Sequence, residues 1–291
     1  MTSFSLNSSA FIQPRNLPIS AWTGHIPFAA WLIEALRPRV FVELGTHHGA
    51  SYFAFCQALL ENRVEAKSFA VDTWKGDVHS EEYGEEVYTT LSRYHDLHYS
   101  SFSSLMRTTF DDAVEYFADG SIDLLHIDGL HTYEAVRHDF ETWLSKMSVR
   151  GIVLFHDTNV RERNFGVWEF WSEISKVYPS FEFVHSHGLG VLIVGKEAPE
   201  SVQALAIDAE NGRGALINSL FSTLGTGISY RADIEWWKKE VGKFGQRISE
   251  LEQAVVEKDA ALAESKAKIN DLEASHLENK SGSGNESDEQ L

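Results

Sequence analysis

Two short segments, Asp128-Gly129-Leu130-His131-Thr132-Tyr133 and His156-Asp157-Thr158, hold the densest grouping of side chains able to move a proton or hold a cation. Carboxylates and imidazoles set close together can take the proton from a hydroxyl during its attack on an electrophile. Asp128 and Asp157 also offer the oxygen donors that a divalent cation such as Mg2+ prefers. His131 and His156 are candidate bases, because a neutral imidazole accepts a proton near pH 7. Asp128, His131 and His156 are therefore the candidate catalytic residues, and Asp128 with Asp157 the candidate metal ligands. Plainer duties also suit these residues: His156 can bond a loop carbonyl, and Asp157 can cap the segment that follows. The other histidines considered, His25, His79, His95, His98, His138, His185 and His187, are expected at the surface or in structural roles.

A second constellation lies upstream. Glu43-Leu44-Gly45-Thr46-His47-His48-Gly49 closes an apolar run and opens a helical one. Gly45 permits a tight turn, and Gly49 lets a helix begin close to a ligand. The unpaired N–H groups of a helix start suit a carboxylate. An ordinary strand-to-helix turn uses the same residues. The spacing is G-x-x-x-G and departs from the G-x-G-x-x-G of dinucleotide binders. Asp72 follows Gly45 by 27 residues at the end of the next apolar run, where a carboxylate can accept both hydroxyls of a ribose. Glu43, Gly45, Thr46, Gly49, Asp72, Thr73 and Trp74 are thus the candidate cofactor-binding residues. Trp74 either covers a nucleobase or packs in its loop.

These residues need a scaffold that gathers them, and the hydropathy pattern supplies one. Strands are expected at 40–44, 68–71, 103–107, 122–127, 151–155, 181–185 and 191–194, and helices at 50–61, 110–117, 133–146 and 167–177. Alternating strands and helices imply a parallel sheet covered on both faces. The last two strands, joined by a tight Gly188-Leu189-Gly190 turn, leave no room for a crossover helix and must be antiparallel. The fold class is α/β, a Rossmann-like, mostly parallel seven-stranded sheet ending in an antiparallel hairpin. Glu43, Asp72, Asp128, His156 and Asp157 then all fall at strand carboxyl ends, where open α/β sheets bind ligands.

Around this region, 23–197, residues 1–22 read as irregular, 198–232 as a helical connector with a glycine-rich interruption, and 281–291 as a disordered acidic tail. From 233 to 280 the apolar residues Val241, Phe244, Ile248, Leu251, Val255, Leu262, Ile269 and Leu272 fall on alternating three- and four-residue steps, the seam of a coiled coil. Homo-oligomerisation through that seam is expected. A solvated single helix with pairs such as Glu264–Lys268 is the other reading.

A net charge of -18 argues against a nucleic-acid substrate, since phosphate binding wants a basic face. Cys56, the single cysteine, sits in an apolar run and reads as a buried, inert thiol. No apolar run approaches the ~20 residues of a membrane span, and the first residues lack a signal-peptide pattern, so a cytoplasmic protein is expected.

The strings VELGTHHG, AVDTWKGD, IDLLHIDGLHTYEAVRHDFETW and GIVLFHDT together resemble a family of bacterial class I methyltransferases over roughly Phe41–Gly195. Its members often sit in polysaccharide or glycan biosynthesis loci, sometimes fused to glycosyltransferase domains. The resemblance implies S-adenosyl-L-methionine at Glu43, Gly45, Gly49 and Asp72, chemistry around Asp128, His131 and Asp157, and a small-molecule or glycan hydroxyl as acceptor. It also raises association with a glycosyltransferase. Related O-methyltransferases hold Mg2+ on a paired Asp-Asp where this chain has His156-Asp157. Three other readings fit parts of the sequence: a hydroxylase-like enzyme on the same fold, a non-catalytic scaffold, and, least well, a nicotinamide-dependent oxidoreductase.

Overall fold

A computed structural model describes residues 3–18, 20–76 and 84–282. The chain divides into two compact units, Met1–Asp233 and Ile234–Leu291. The first is built on seven strands: β1 (Val40–Leu44), β2 (Lys67–Asp72), β3 (Ser103–Arg107), β4 (Ile122–Ile127), β5 (Met147–His156), β6 (Ser180–Phe183) and β7 (Leu189–Ile193). They form one sheet in the order β3-β2-β1-β4-β5-β7-β6. The first five run parallel, and β7 lies antiparallel to both β5 and β6. This is a Rossmann-like α/β architecture closed by an antiparallel hairpin. The order reverses between β1 and β4, so the crevice above their carboxyl ends is the natural ligand site.

Helices α1 (Ile26–Leu36), α2 (Ala50–Glu61), α3 (Glu85–His98), α4 (Phe110–Ala113), α5 (Tyr133–Trp143), α6 (Val167–Ile174), α7 (Glu200–Glu210) and α8 (Gly214–Gly282) complete the described elements, with short 3-10 turns between. Their starts follow local chemistry. The Thr132 hydroxyl accepts from the Ala135 N–H at the head of α5, and Thr109 does the same for Asp112 at α4. Two apolar clusters cover the sheet faces. One gathers Phe28, Trp31, Phe41 and Phe55 with α1 and α2, and the other gathers Phe140, Trp143, Phe155 and Trp171 with α5 and α6. Each such ring, fully buried, contributes on the order of 2 kcal/mol, and together they fix the strand ends that carry the polar residues.

The structure departs from the sequence expectations in four places. The hairpin turn lies at 184–188, and Leu189 and Gly190 belong to β7. Ser186, His187 and Gly188 all take positive φ, whereas Gly190 is needed where a Cβ would meet the Trp171 ring at 2.6 Å. The connector is interrupted at 211–213, beside Gly212 and Gly214, but not at Gly225 and Gly227, which both lie within α8. Gly225 is instead a point of close approach, since a Cβ there would lie 1.9 Å from the Gly24 carbonyl oxygen. The amino-terminal stretch is partly ordered into the core, with Ala10, Ile12 and Trp22 buried. Helix α3 goes unread in the sequence because only Val87, Leu91 and His95 of its fourteen residues are buried. No helix among the described residues is long and apolar enough to cross a membrane. The expected acidic tail lies, beyond Gly282, outside the described residues.

Candidate active site

The β1–α2 loop is shaped by left-handed backbone at Gly45 (φ 86), His47 (φ 49) and Gly49 (φ 77). Gly45 also faces the Asp128 carbonyl so closely that a Cβ would lie 2.0 Å from its oxygen. Asp72 holds this loop directly. Its Oδ2 accepts the Thr46 and His47 N–H groups, both at 2.9 Å, and its Oδ1 accepts the Trp74 N–H at 2.7 Å. Trp74 itself is 1% exposed, and its indole N–H donates to the His47 carbonyl at 3.0 Å, so it buttresses the loop from behind. Glu43 is likewise fully buried beneath the loop. Its Oε2 lies 2.9 Å from His126 Nδ1, while His126 Nε2 accepts from the Trp22 indole at 3.2 Å. Because an indole N–H only donates, His126 Nε2 is bare and the Nδ1 proton points at Glu43. Burial pushes the Glu43 carboxyl up from its ordinary pKa, partly opposed by His126.

The second group forms at the ends of β4 and β5. His131 Nε2 lies 2.9 Å from Asp157 and 3.6 Å from Asp128. His156 Nδ1 lies 3.1 Å from Asp128 and 3.4 Å from Asp157. Its Nε2 faces the Ser186 carbonyl at 3.2 Å, which only accepts, so both ring nitrogens carry protons. Burial alone would lower His156, but the carboxylates of Asp128 and Asp157 outweigh it and hold the imidazolium well above its ordinary pKa. Burial likewise lowers His131, and its bonds to Asp128 and Asp157 reverse this, pushing it up to about 9. Both carboxylates would be raised by burial, yet His156 and His131 hold them below the usual carboxylate range. The four side chains thus make a charge-balanced cluster. At neutral pH each imidazole is set to donate to the carboxylates, and His156, 5% exposed, holds the two carboxylates together. Asp157 has a left-handed φ of 61, a conformation Asp tolerates better than most residues.

One cavity of about 710 Å3 joins the two groups. Gly45, Thr46, Asp72 and Thr73 line it beside Asp128 and His131; Glu43, Gly49, Trp74, His156 and Asp157 stand behind the wall. Much of the rest of the wall comes from Ser20 to Trp22, His47 and His48, Thr109 and Phe110, and Ala135, His138 and Asp139. Asp128, His131 and Asp157 each offer one ligand atom, all within 4.8 Å of one another. Two carboxylates and an imidazole fit a divalent cation, and the imidazole suits Mn2+, Fe2+ or Zn2+ better than Mg2+.

Several of these residues escape sequence reasoning. His187 lies 3.1 Å from Asp157 through its Nδ1, although its segment reads only as a turn. His126 is hidden inside an apolar strand, where alternation gives no sign of its partner. Asp139 has a sequence signal of its own: it interrupts the buried stripe Val136, Phe140, Trp143 of α5. His79 lies outside the described residues.

Residues 42–158 match a family described as a methyltransferase domain, a stretch running from β1 to the residue after Asp157. The chain is 52% identical over 189 residues to the uncharacterized protein y4gI of Sinorhizobium fredii (strain NBRC 101917 / NGR234). That match takes in 65% of this chain and 21% of the relative, so the chain spans about a fifth of that protein's length. Among solved structures, the O-methyltransferase TomG of Streptomyces achromogenes, in complex with SAM, is similar at 14% identity and TM-score 0.45, over 62% of this chain and 83% of that one. The SAH-bound methyltransferase PaMTH1 of Podospora anserina is similar at 12% identity and TM-score 0.44, over 58% and 77%.

Proposed function

We propose that this chain is an S-adenosylmethionine-dependent O-methyltransferase acting on a sugar or glycan hydroxyl. The observation that carries the reading is the single cavity connecting the Gly45–Gly49 loop and Asp72 to Asp128 and His131. A cofactor site and a proton-handling site share that space, as transfer between two bound molecules requires. Gly45, Thr46, Asp72 and Thr73 face the cofactor, with Gly49 setting the start of α2 and Glu43 and Trp74 bracing the loop. When bound, S-adenosylmethionine supplies an electrophilic methyl group on a sulfonium. Asp128 and His131 receive the acceptor hydroxyl, and with Asp157 they would hold a divalent cation that lowers its pKa. Below about pH 9 His131 keeps its own proton between the two carboxylates, so without a cation it acts as a base only at alkaline pH, and with one its Nε2 would serve as a ligand. His156 is a positioning residue. The glycan acceptor, and association with a glycosyltransferase, rest on the resemblance carried by the four sequence strings.

The test pairs calorimetry with turnover. S-adenosylmethionine is expected to bind the parent in the micromolar range, and Asp72→Ala to weaken it about tenfold, the worth of a hydrogen bond to a charged group. With labelled cofactor and a panel of sugar acceptors, the product gains one CH2. Asp128→Ala and His131→Ala cut turnover about 100-fold or more while leaving cofactor affinity nearly unchanged, and Mg2+ or Mn2+ raises the parent's rate. A parent that binds no S-adenosylmethionine, with or without the cation, would overturn the reading.

A further inference from the structure

The turn between β6 and β7 grips the end of β5. The Asp157 N–H donates to the Gly188 carbonyl at 3.1 Å, and the Asn159 N–H to the His187 carbonyl at 2.8 Å. His187 Nδ1 lies 3.1 Å from Asp157 Oδ1, and His156 Nε2 donates to the Ser186 carbonyl at 3.2 Å. The turn is itself strained. Ser186 and His187 take φ of 50 and 70, and left-handed backbone costs residues other than glycine about 1–2 kcal/mol each. Such a shape persists where the surroundings impose it. Here they are the 3-10 turn Ala21–His25 ahead of α1. His25 is fully buried, and its Nε2 lies 3.1 Å from the same Ser186 carbonyl. In return, His185 Nε2 faces the Gly24 carbonyl at 3.3 Å. A carbonyl only accepts, so the His25 proton is on Nε2. Burial, reinforced by the charge of His156, lowers His25 well below its ordinary pKa, so the ring is neutral and that N–H is its single donor. Its Nδ1 is buried with no hydrogen-bond partner among the described residues. A buried polar atom left unpaired costs free energy. A side chain needed only to fill this space would be apolar and free of that cost.

We infer that His25 is a positioning residue: by donating to the Ser186 carbonyl it fixes the turn that holds Asp157 in place to join Asp128 and His131 around a cation. The inference rests on the reading that this cluster holds a divalent cation, and it assigns the device that keeps the cluster in register. The Ser186 carbonyl has two lone pairs and meets two donors. His25 approaches on one side and His156 on the other, their rings 5.8 Å apart and nearly perpendicular at 83°. With the His25 donor gone, the carbonyl follows His156 alone, and the turn that bonds the Asp157 amide and carboxylate shifts with it. Cation sites tolerate displacements of only about 0.2 Å per ligand. His25 lies behind the cavity wall, so its effect on the cluster passes through Ser186. Gly24 belongs to the same device. A Cβ there would run into Ser186 Oγ, so the absence of a side chain is what lets the two turns meet.

The experiment measures Mn2+ and S-adenosylhomocysteine binding by calorimetry on the parent, His25→Leu and His25→Gln. The parent is expected to bind both ligands. His25→Leu has no donor and is expected to bind Mn2+ about tenfold more weakly, the worth of one buried hydrogen bond, while keeping the parent's affinity for S-adenosylhomocysteine. His25→Gln carries an amide N–H close to the position of the imidazole Nε2 and is expected to restore most of the Mn2+ affinity. Should His25→Leu not fold, His25→Asn carries the same readout, because its shorter amide falls short of the Ser186 carbonyl. A merely structural residue would weaken both ligands together or neither, and either result overturns the inference. So does His25→Gln binding Mn2+ as weakly as His25→Leu, or a parent that binds S-adenosylhomocysteine and no Mn2+; the cofactor reading survives both. A parent that binds Mn2+ and no S-adenosylhomocysteine overturns the cofactor reading alone, and the Mn2+ affinities of the variants still decide the role of His25.

Discussion

At the residue scale, the site contrasts two ways of burying charge. Asp128 and Asp157 are matched by His131 and His156, so the charges of four ionised groups balance within one cluster. Asp139 is buried with no such match, and its effect on stability has a definite sign. Its pKa in the fold, about 7, stands above the ordinary 3.8. The folded state therefore binds the proton more tightly than the unfolded one, and stability falls as pH rises from about 4 to about 7, staying low above that. Asp139→Asn, a neutral isostere, removes the dependence. It is expected to be more stable than the parent by a few kcal/mol at pH 8, the gap closing near pH 4. Urea denaturation at the two pH values measures this, and an equal gap at both would show that the carboxyl's charge is not the cause.

At the element scale, the loop between β1 and α2 is set by its contact with the end of β4. Gly45 has a φ of 86 and stands against the Asp128 carbonyl, whose own N–H donates to Leu44 at 2.8 Å. Backbone is pressed on backbone there, and a flexible side chain cannot yield. Gly45→Ala is expected to cost about 3 kcal/mol or more and to weaken cofactor binding, because the strained loop moves Thr46 and the N–H groups that Asp72 holds. Thermal melting and calorimetry on this variant test both halves, and an unchanged melting temperature would show that the loop is softer than its contacts imply. The elements themselves were largely legible. Strands β1 and β4 and helix α2 fall where hydropathy put them, because each is a mostly apolar run closed by a polar or glycine boundary. Helix α3 was missed because its apolar stripe is thin, and the hairpin turn was misplaced because Gly188 and Gly190 look alike in sequence. One serves a positive φ and the other a close packing contact.

At the scale of the whole molecule, the second unit poses its own question. Val241, Phe244, Ile248, Leu251, Val255, Leu262, Ile269 and Leu272 are each at least half exposed along α8. An apolar seam of that length on one helix is stabilised by a matching helix. The full chain is expected to sediment as a dimer or trimer, and Ile248→Lys with Leu251→Lys to sediment as a monomer with its first unit still folded; a monomeric parent at high concentration would sink the coiled-coil reading. What the sequence determined by itself was local and periodic: the strand and helix rhythm, the glycine loop, and the polar residues at strand ends, since these depend on neighbours a few positions away. Tertiary structure decided the rest. That Asp72 grips the loop amides, that Glu43 sits under them bonded to His126, that His156 is a buried imidazolium, and that Asp139 faces the cavity alone all depend on groups far apart in the chain. Protonation states and hydrogen-bond partners follow from distances across the sheet, and spacing along a sequence does not encode them.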